Sequence, residues 1–481
     1  MTRRLSLIAL AAAVTAVAAC VPKRIVWSPD GQRALVTGDN ALYLCDADGK
    51  LSSPIGDALP QLVTWLPDSR RFVAVAEIAA GSWQEVAPML TEARREEIIR
   101  LADKVRQEIL AHEGNWDDFE PGATAELTHP EQAALGLYIR EHRSEGLPEK
   151  MGDKWDAIKD MTVGVHTLMS YTLTDTTARP GAIIARSLYP TREMRVSPDG
   201  NLVACVEETG NNKGDSAAGP FRLSVVQTAA GAVRIIVADH VGLYPDWSPD
   251  GQYLVYISAR TSAGKDDNQA LLGSVTRRQI CNQDGSLLET FEEPETLASA
   301  LFSPFSKTRC LADGRVLFSS TEVHLPCAEK DMPEQASLFA VDPGRQATVT
   351  RVMPRQAEAK LPDGLAYGHF EVSPDAARVA ITGSKGEVAV LTLATGDVTD
   401  VQPTPDPDGK LRTVATWRSA DELCFLLPAG AEAGSTHRAE IALWSNAGTR
   451  IISKDWPSAG FKELLGDKEK PPQDQPDSRP E

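Results

Sequence analysis

The sequence predicts an all-β fold, a seven-bladed β-propeller with an α-helical insertion in the second blade. A turn motif of the Ser-Pro-Asp-Gly type recurs along the 481 residues, and each copy is followed by a second hairpin with its own turn. Two hairpins give four short strands about every 40 to 50 residues, which is the period of propeller blades. One stretch of helical periodicity inside the second repeat predicts the insertion.

The clearest copy of the motif lies within residues 246–257, where a large apolar residue ends one strand and an alternating apolar run begins the next. Between the two strands, Pro249 fixes φ at the first central turn position and Asp250 bonds to nearby backbone, while Gly251 accepts a positive φ. A tight turn between two such runs predicts a β-hairpin.

Seven copies of the motif predict seven blades. Five clear copies begin at Trp27, Trp65, Val196, Trp247 and Val372. Two weaker copies begin at Phe302, whose turn is extended as far as residues 312–314, and at Trp417. Because four tryptophans share one repeat position, we expect them to pack between blades rather than to stack on a ligand. We expect the motif aspartates to form turns.

These hairpins resemble the blades of TolB-type propellers, which belong to the broader WD-repeat-like group. The resemblance covers most of the chain apart from the insertion and the C-terminal tail. It implies the fold and not an activity, since propellers carry many unrelated functions. TolB-type proteins also have an additional N-terminal domain that this sequence does not match, so their particular partners are not transferred to it.

The N-terminal residues have the pattern of an exported lipoprotein. A basic start at residues 2–4 precedes an apolar run at 5–17, which predicts a signal peptide at residues 1–19. The segment that ends at Cys20 resembles a bacterial lipobox, in which the cysteine is acylated; the alternative is an ordinary signal peptide followed by a chance cysteine. Val21, rather than aspartate, favours the outer membrane, with the protein facing the periplasm.

Charge and composition restrict the partners. A net charge of -18 argues against DNA or RNA, because binding to nucleic acid requires clustered basic residues. We expect the propeller to occupy residues 20–461, close to the membrane, and to be closed by residues 20–27 or 453–461. Loops are expected at 260–276 and 354–368, and a disordered tail at 462–481.

The helical insertion is predicted at residues 82–162. Apolar residues between Val86 and Ile109 recur at three- and four-residue steps, and Thr128 with Glu131 has the spacing of a capping box. Residues 85–162 contain 18 acidic and 10 basic side chains, which suits either a solvated helical pack or a docking surface.

The candidate anchors for a partner on this insertion are Trp116, Tyr138 and Trp155, because aromatic side chains are enriched at interaction hot spots. The alternative is that all three pack in the core of the insertion. Elsewhere, Cys310 and Cys327 are a possible disulfide in the fifth blade. We find no sequence pattern for a metal site, a cofactor or a catalytic motif, and therefore assign none.

Together these observations favour a non-enzymatic, membrane-tethered scaffold that binds another protein or peptide of the cell envelope. Two alternatives stay open. One is a glycan- or peptide-processing hydrolase or lyase with its site in the central channel, since carboxylates that converge from different blades leave no linear motif. The other is a sensor of a small ligand or glycan.

Overall fold

The computed structural model describes residues 23–37, 41–55, 60–114, 116, 121–174, 177–209, 221–232, 234–262, 271–302, 306–320, 322–323, 336–344, 348–353, 362, 365, 369–383, 386–402, 413–429 and 438–453. These residues form seven antiparallel sheets that follow one another along the chain. Successive innermost strands contact one another around a central channel. The predicted seven-bladed propeller is therefore confirmed.

The first three blades contain eleven described strands. They are β1 (Ile25–Trp27), β2 (Arg33–Thr37) and β3 (Leu42–Asp46) in blade one, β4 (Pro60–Trp65), β5 (Arg71–Ala80), β6 (Val163–Leu173) and β7 (Ala178–Ser187) in blade two, and β8 (Thr191–Val196), β9 (Leu202–Glu208), β10 (Phe221–Gln227) and β11 (Ile235–Asp239) in blade three. In blade one, Leu51 and Ile55 bridge back to β3 and extend the sheet.

Blades four and five contain nine described strands. They are β12 (Asp246–Trp247), β13 (Tyr253–Ser262), β14 (Leu271–Gln279) and β15 (Glu295–Phe302) in blade four, and β16 (Thr308–Cys310), β17 (Val316–Ser320), β18 (Glu322–Val323), β19 (Ser337–Asp342) and β20 (Thr348–Arg351) from the blade-five segment. Strand β18 pairs with β15, so it adds a fifth strand to the sheet of blade four.

Blades six and seven each contain four strands. They are β21 (Phe370–Val372), β22 (Arg378–Thr382), β23 (Val388–Thr392) and β24 (Val398–Gln402), then β25 (Thr416–Trp417), β26 (Leu423–Ala429), β27 (Arg438–Ser445) and β28 (Gly448–Ser453).

Two sequence predictions about blades four and five were wrong. The loop predicted at 260–276 is partly strand, because β13 and β14 pair out to Ser262 and Leu271. Phe302 does not begin a motif copy but ends β15. The turn of blade five begins at Leu311 and contains Gly314 at φ 86°, so an Asp-Gly pair forms this turn without the Ser-Pro that the motif search required.

The motif aspartates form turns, as predicted. Asp250 Oδ1 accepts the N–H of Gln252 at 3.0 Å and also the hydroxyl of the motif serine, while Gly251 has φ 71°. Two copies place a residue other than glycine in this left-handed position, with φ 54° at Ser69 and φ 55° at Ala376. Such residues carry backbone strain that glycine avoids.

The motif tryptophans pack between blades, as predicted. All four are buried, with 5 to 8% of their surface exposed. Indole N–H groups donate to the carbonyl just before the motif of the preceding blade. These bonds join Trp65 to Val26 (2.8 Å), Trp247 to Arg195 (3.0 Å) and Trp417 to Glu371 (2.9 Å). These bonds therefore join the innermost strands of blades one and two, of blades three and four, and of blades six and seven.

Blade seven meets blade one directly. An apolar cluster joins them, with Trp27 and Cys45 on one side and Cys424 and Ile441 on the other. Blade seven takes its four strands from one continuous segment, and no strand is shared across this seam among the described residues. Residues 20–22 and 454–461, part of the two predicted closing segments, lie outside the described residues.

The insertion emerges between β5 and β6. Its helices are α1 (Trp83–Val86), α2 (Glu92–Ala111), α3 (His129–His142), α4 (Leu147–Met151) and α5 (Lys154–Lys159), with short 3-10 turns at Ala87–Met89 and Gly122–Thr124. The predicted capping box of Thr128 and Glu131 is present. The single helix predicted across Val86–Ile109 is instead interrupted at Thr91, which caps α2.

The insertion has its own apolar core, which continues into blade two through Ala80, Val163, Val165 and Leu188. Because the strands of a blade alternate in direction, the loop between the second and third strands opens on the same face as the connections between blades. Among the described residues, no helix combines the length and apolar character that a membrane span requires.

Candidate functional site in the central channel

Superposing the seven turns places one residue of each blade at a common register, immediately before the motif. We call this register the channel position, because it lies on the innermost strands that surround the channel. Its residues, in chain order, are Val26, Thr64, Arg195, Asp246, Arg309, Glu371 and Thr416. Four consecutive blades thus carry arginine, aspartate, arginine and glutamate, which makes an arc of alternating charge on one side of the ring.

Glu371 ends this arc and has three cations close to its carboxylate. Its Oε1 lies 2.9 Å from Lys307 Nζ, 3.1 Å from Lys23 Nζ and 3.8 Å from Arg309 Nη2. These cations come from blades one and five, so one carboxylate from blade six is held from both sides. Lys307 is 2% exposed and also donates to the carbonyl of Phe370. A buried ammonium is tolerated when it has such partners.

The shared field shifts the pKa values of these groups. Burial raises the pKa of Glu371, but Lys23, Lys307 and Arg195 outweigh burial and hold it well below its usual range. Burial lowers the pKa of Lys307 to about 8, against the opposing effect of Glu371. Ionisable groups that influence one another in this way belong to one site.

Asp246 behaves in the opposite way to Glu371. Burial raises the pKa of its carboxyl to about 6, although Arg195 and the N–H of Cys310, at 2.9 Å from Oδ2, oppose the shift. The channel therefore contains two carboxyl groups, one in blade four and one in blade six, whose pKa values are displaced in opposite directions.

Both channel arginines keep a buried nitrogen that has no hydrogen-bond acceptor among the described residues: Nε of Arg195 and Nη2 of Arg309. Arg195 Nε lies 3.3 Å from Glu193 Oε1, but without hydrogen-bond geometry. The Arg309 side chain is only 7% exposed. A buried donor without an acceptor costs about 1 to 3 kcal/mol, so these two groups require an explanation.

The aromatic residues singled out on the insertion all contact its core. Tyr138 is 8% exposed, packs edge to face with Trp83, and supports the insertion from inside. Trp116 and Trp155 are half-buried against the same cluster, and Trp116 also stacks near His112. The structure does not bring the three side chains together as one exposed surface, and the docking role of Trp116 and Trp155 stays a prediction.

Other predicted sites fall partly or wholly outside the described residues. Cys20 and the signal peptide at 1–19 lie outside them, as does the tail at 462–481. Cys310 is half-buried at the end of β16, whereas Cys327 is not described, so their disulfide stays a prediction. Within the described residues, no group of three or more His, Cys, Asp or Glu side chains is placed to hold a metal ion.

The channel arc was not predicted, although the sequence contains a signal for it. Each charged residue lies one position before a motif, so an alignment of the turns on their aspartates would have shown the Arg, Asp and Glu of blades three, four and six. Arg309 was hidden because the motif of blade five was placed at Phe302 instead of Cys310, the residue just before the turn.

No protein-family model matches the chain, and no curated protein matches it. Similar solved structures include a putative TolB from Agrobacterium tumefaciens, which is 12% identical, covers 59% of this chain and 91% of its own, and has a TM-score of 0.34. An oligogalacturonate lyase from Vibrio parahaemolyticus is 11% identical over 84% of this chain and 85% of its own, with a TM-score of 0.44.

The β-propeller domain of Cps50 (Swd1) from Myceliophteria thermophila is 10% identical over 88% of this chain and 95% of its own, with a TM-score of 0.44. What these proteins have in common with the chain is the propeller fold, in line with the TolB-type and WD-repeat-like resemblance of the motif. Propellers in general carry many unrelated activities, so the fold does not decide the function.

Proposed function

We propose that this protein is a lipid-anchored, non-enzymatic binding protein of the bacterial cell envelope, facing the periplasm from the outer membrane. It holds another envelope protein or peptide on the face that carries the insertion. Acylation of Cys20, after removal of residues 1–19, supplies the anchor. The observation that supports this proposal is that the insertion packs against the blades through a shared apolar core and a buried hydrogen bond.

The docking rests on a buried polar contact. Glu131 in α3 accepts hydrogen bonds from Arg94 in α2, at 2.7 Å, and from the hydroxyl of Tyr189, also at 2.7 Å. Tyr189 lies in the connection between blades two and three, so the contact crosses from the insertion to the propeller. A pre-organised surface loses little conformational entropy on binding, which suits a docking platform.

The chain start lies near the same face. Lys23 precedes β1 and is bonded to Glu371 in the channel, and it lies three positions after Cys20 in the sequence. At about 3.3 to 3.6 Å per residue, an extended chain of this length reaches roughly 10 Å. The proposed anchor therefore keeps this face at the membrane surface, which favours a partner that is itself at the membrane.

The test is affinity capture from detergent-solubilised envelope, comparing the full mature chain with a form without the insertion. Ala80 and Val163 are register partners on β5 and β6, so an Asn-Gly turn replaces residues 81–162 without changing the blade. We expect a partner with the full chain and its loss from the shortened form. Ile236→Arg, an exposed change on β11, is the matched control and should retain the partner.

The anchor is tested separately by Cys20→Ala, which should move the protein from the membrane fraction to the soluble fraction. A Cys20→Ala protein that still pellets with membranes contradicts the lipid anchor. A partner that binds the shortened form as well as the full chain contradicts the docking role of the insertion. In both experiments an unchanged thermal unfolding transition of the blades excludes misfolding as the cause.

A second candidate is an enzyme with its site in the channel. It is favoured by the opposite pKa shifts of Asp246 and Glu371, since such a pair can divide the roles of proton donor and acceptor. A screen of glycans and peptides for turnover tests it. Asp246→Asn should then abolish turnover while the protein remains folded, and turnover that survives this change would remove the assignment.

A further inference from the structure

We propose that the central channel contains an oxyanion-binding site, in which Arg195 and Arg309 bind a carboxylate or phosphate group beside the internal carboxylate of Glu371. This inference goes beyond the proposed function, since it holds whether or not the chain is anchored or binds a protein. It rests on the sign of the local charge, on the two buried donors and on the internal carboxylate.

The channel differs in charge from the rest of the molecule. The chain carries a net charge of -18, yet the innermost segments contain six basic and three acidic residues. These segments are residues 23–27, 60–65, 191–196, 244–247, 307–310, 369–372 and 413–417. The excess of basic residues on the innermost segments favours anions there, in contrast to the acidic net charge of the whole chain.

The two arginines supply the geometry. A guanidinium is planar, remains charged and donates in a fixed fork that matches the oxygens of carboxylates and phosphates. Arg309 uses Nη1 on the carbonyl of Thr308, at 2.9 Å, which fixes the plane of its guanidinium while Nη2 has no acceptor among the described residues. In the proposed site, an oxyanion accepts from both of these buried donors.

The carboxylate of Glu371 indicates which kind of ligand the site binds. It is already held by Lys307 at 2.9 Å and by Lys23 at 3.1 Å. Lys23 is one-third exposed, so this part of the cluster is open to solvent. An incoming oxyanion meets the same cations that hold Glu371, and the internal carboxylate competes with it for them. Removal of the charge on Glu371 should therefore strengthen anion binding.

The test is isothermal titration calorimetry at pH 7 and low ionic strength with three probes: glutarate, inorganic phosphate and a tri-glutamate peptide. We expect saturable binding with one site per chain. Arg309→Gln should weaken binding by about tenfold to a hundredfold, which corresponds to the loss of one charge-assisted hydrogen bond. Arg195→Gln should have a similar effect. Binding of glutarate, phosphate or the peptide alone identifies the source of the oxyanion.

Two further variants keep the outcome clear. Arg222→Gln is the control, because Arg222 pairs with Asp239 on the outer strands of blade three, the blade that carries Arg195. It should bind as the natural protein does. Glu371→Gln should bind at least tenfold more tightly, and the probe should raise its unfolding temperature. This variant reports on the site even if the arginine variants do not fold.

Three results would overturn the proposal. One is the lack of binding of every probe at about 10 mM by both the natural protein and Glu371→Gln. Another is binding that is insensitive to Arg195→Gln and Arg309→Gln. The third is binding that Arg222→Gln weakens as much as they do. Loss of the envelope partner on removal of the insertion, with anion binding intact, separates this proposal from the function proposed above.

Discussion

A glycine at the seam between blades one and seven should be more sensitive to substitution than its equivalent elsewhere in the ring. Gly31 and Gly251 hold the same motif position, with φ 67° and 71°. Alanine at either site pays for the left-handed conformation, at about 1 kcal/mol. At Gly31 the added Cβ would also lie 2.6 Å from the backbone oxygen of Arg418 in blade seven, whereas at Gly251 the nearest atom is Pro198 Cδ at 3.6 Å.

A contact of 2.6 Å to backbone requires the two blades to move apart, and overpacking of this kind costs about 1 to 3 kcal/mol more. Gly251→Ala should therefore lower the free energy of unfolding by about 1 kcal/mol, and Gly31→Ala by about 2 to 4 kcal/mol. Urea unfolding followed by tryptophan fluorescence and by far-UV circular dichroism measures both. Equal destabilisation by the two changes would refute the reasoning, because the seam would then not be closely packed.

Three other changes test separate features. Ala376→Gly should stabilise the protein by about 0.5 to 1 kcal/mol in the same urea assay, since it relieves a positive φ; destabilisation would contradict this. Glu131→Ala should lower the free energy of unfolding by about 3 kcal/mol and increase hydrogen exchange in α2 and α3. Its control is Glu97→Ala, which removes a more exposed partner of Arg94 and should lower the free energy of unfolding by less than about 1 kcal/mol. Burial raises the pKa of folded Asp246 to about 6, so its protonation stabilises the fold below about pH 4. This stabilisation, roughly 2 to 3 kcal/mol, is lost as the pH rises to 6. In Asp246→Asn, the free energy of unfolding should therefore change less with pH between 4 and 6.

The sequence was sufficient for the architecture because turns and apolar alternation are local properties. The motif at 246–257 specified its own hairpin, and Thr128 with Glu131 specified the start of α3. Predictions failed where pairing between distant segments decided the outcome. Strands β13 and β14 extend because each provides the partner of the other, and no single window of sequence shows that.

The site was harder to predict for a related reason. Glu371 is 64 positions from Lys307 and 348 positions from Lys23 in the sequence. The packing of neighbouring blades brings Lys307 to 2.9 Å from the carboxylate, and closure of the ring brings Lys23 to 3.1 Å from it. Each of them looks like an ordinary surface residue in its local sequence. Trp116, Tyr138 and Trp155 were predicted as partner anchors because aromatic residues are common at interaction hot spots. Burial depends on how the helices pack, and in the structure Tyr138 is buried.

At the channel position, the backbone contributes to the fold and the side chain to the chemistry of the channel. At Val26, Arg195 and Glu371 the tryptophan of the next blade bonds to the backbone carbonyl, which any amino acid supplies. The ring therefore accepts valine, arginine and glutamate at these three places without loss of the tryptophan bond, and it has threonine or aspartate at other channel positions. A protein built in this way can acquire new ligands through single substitutions at seven equivalent positions. The same positions are where its ligand specificity could be changed by design.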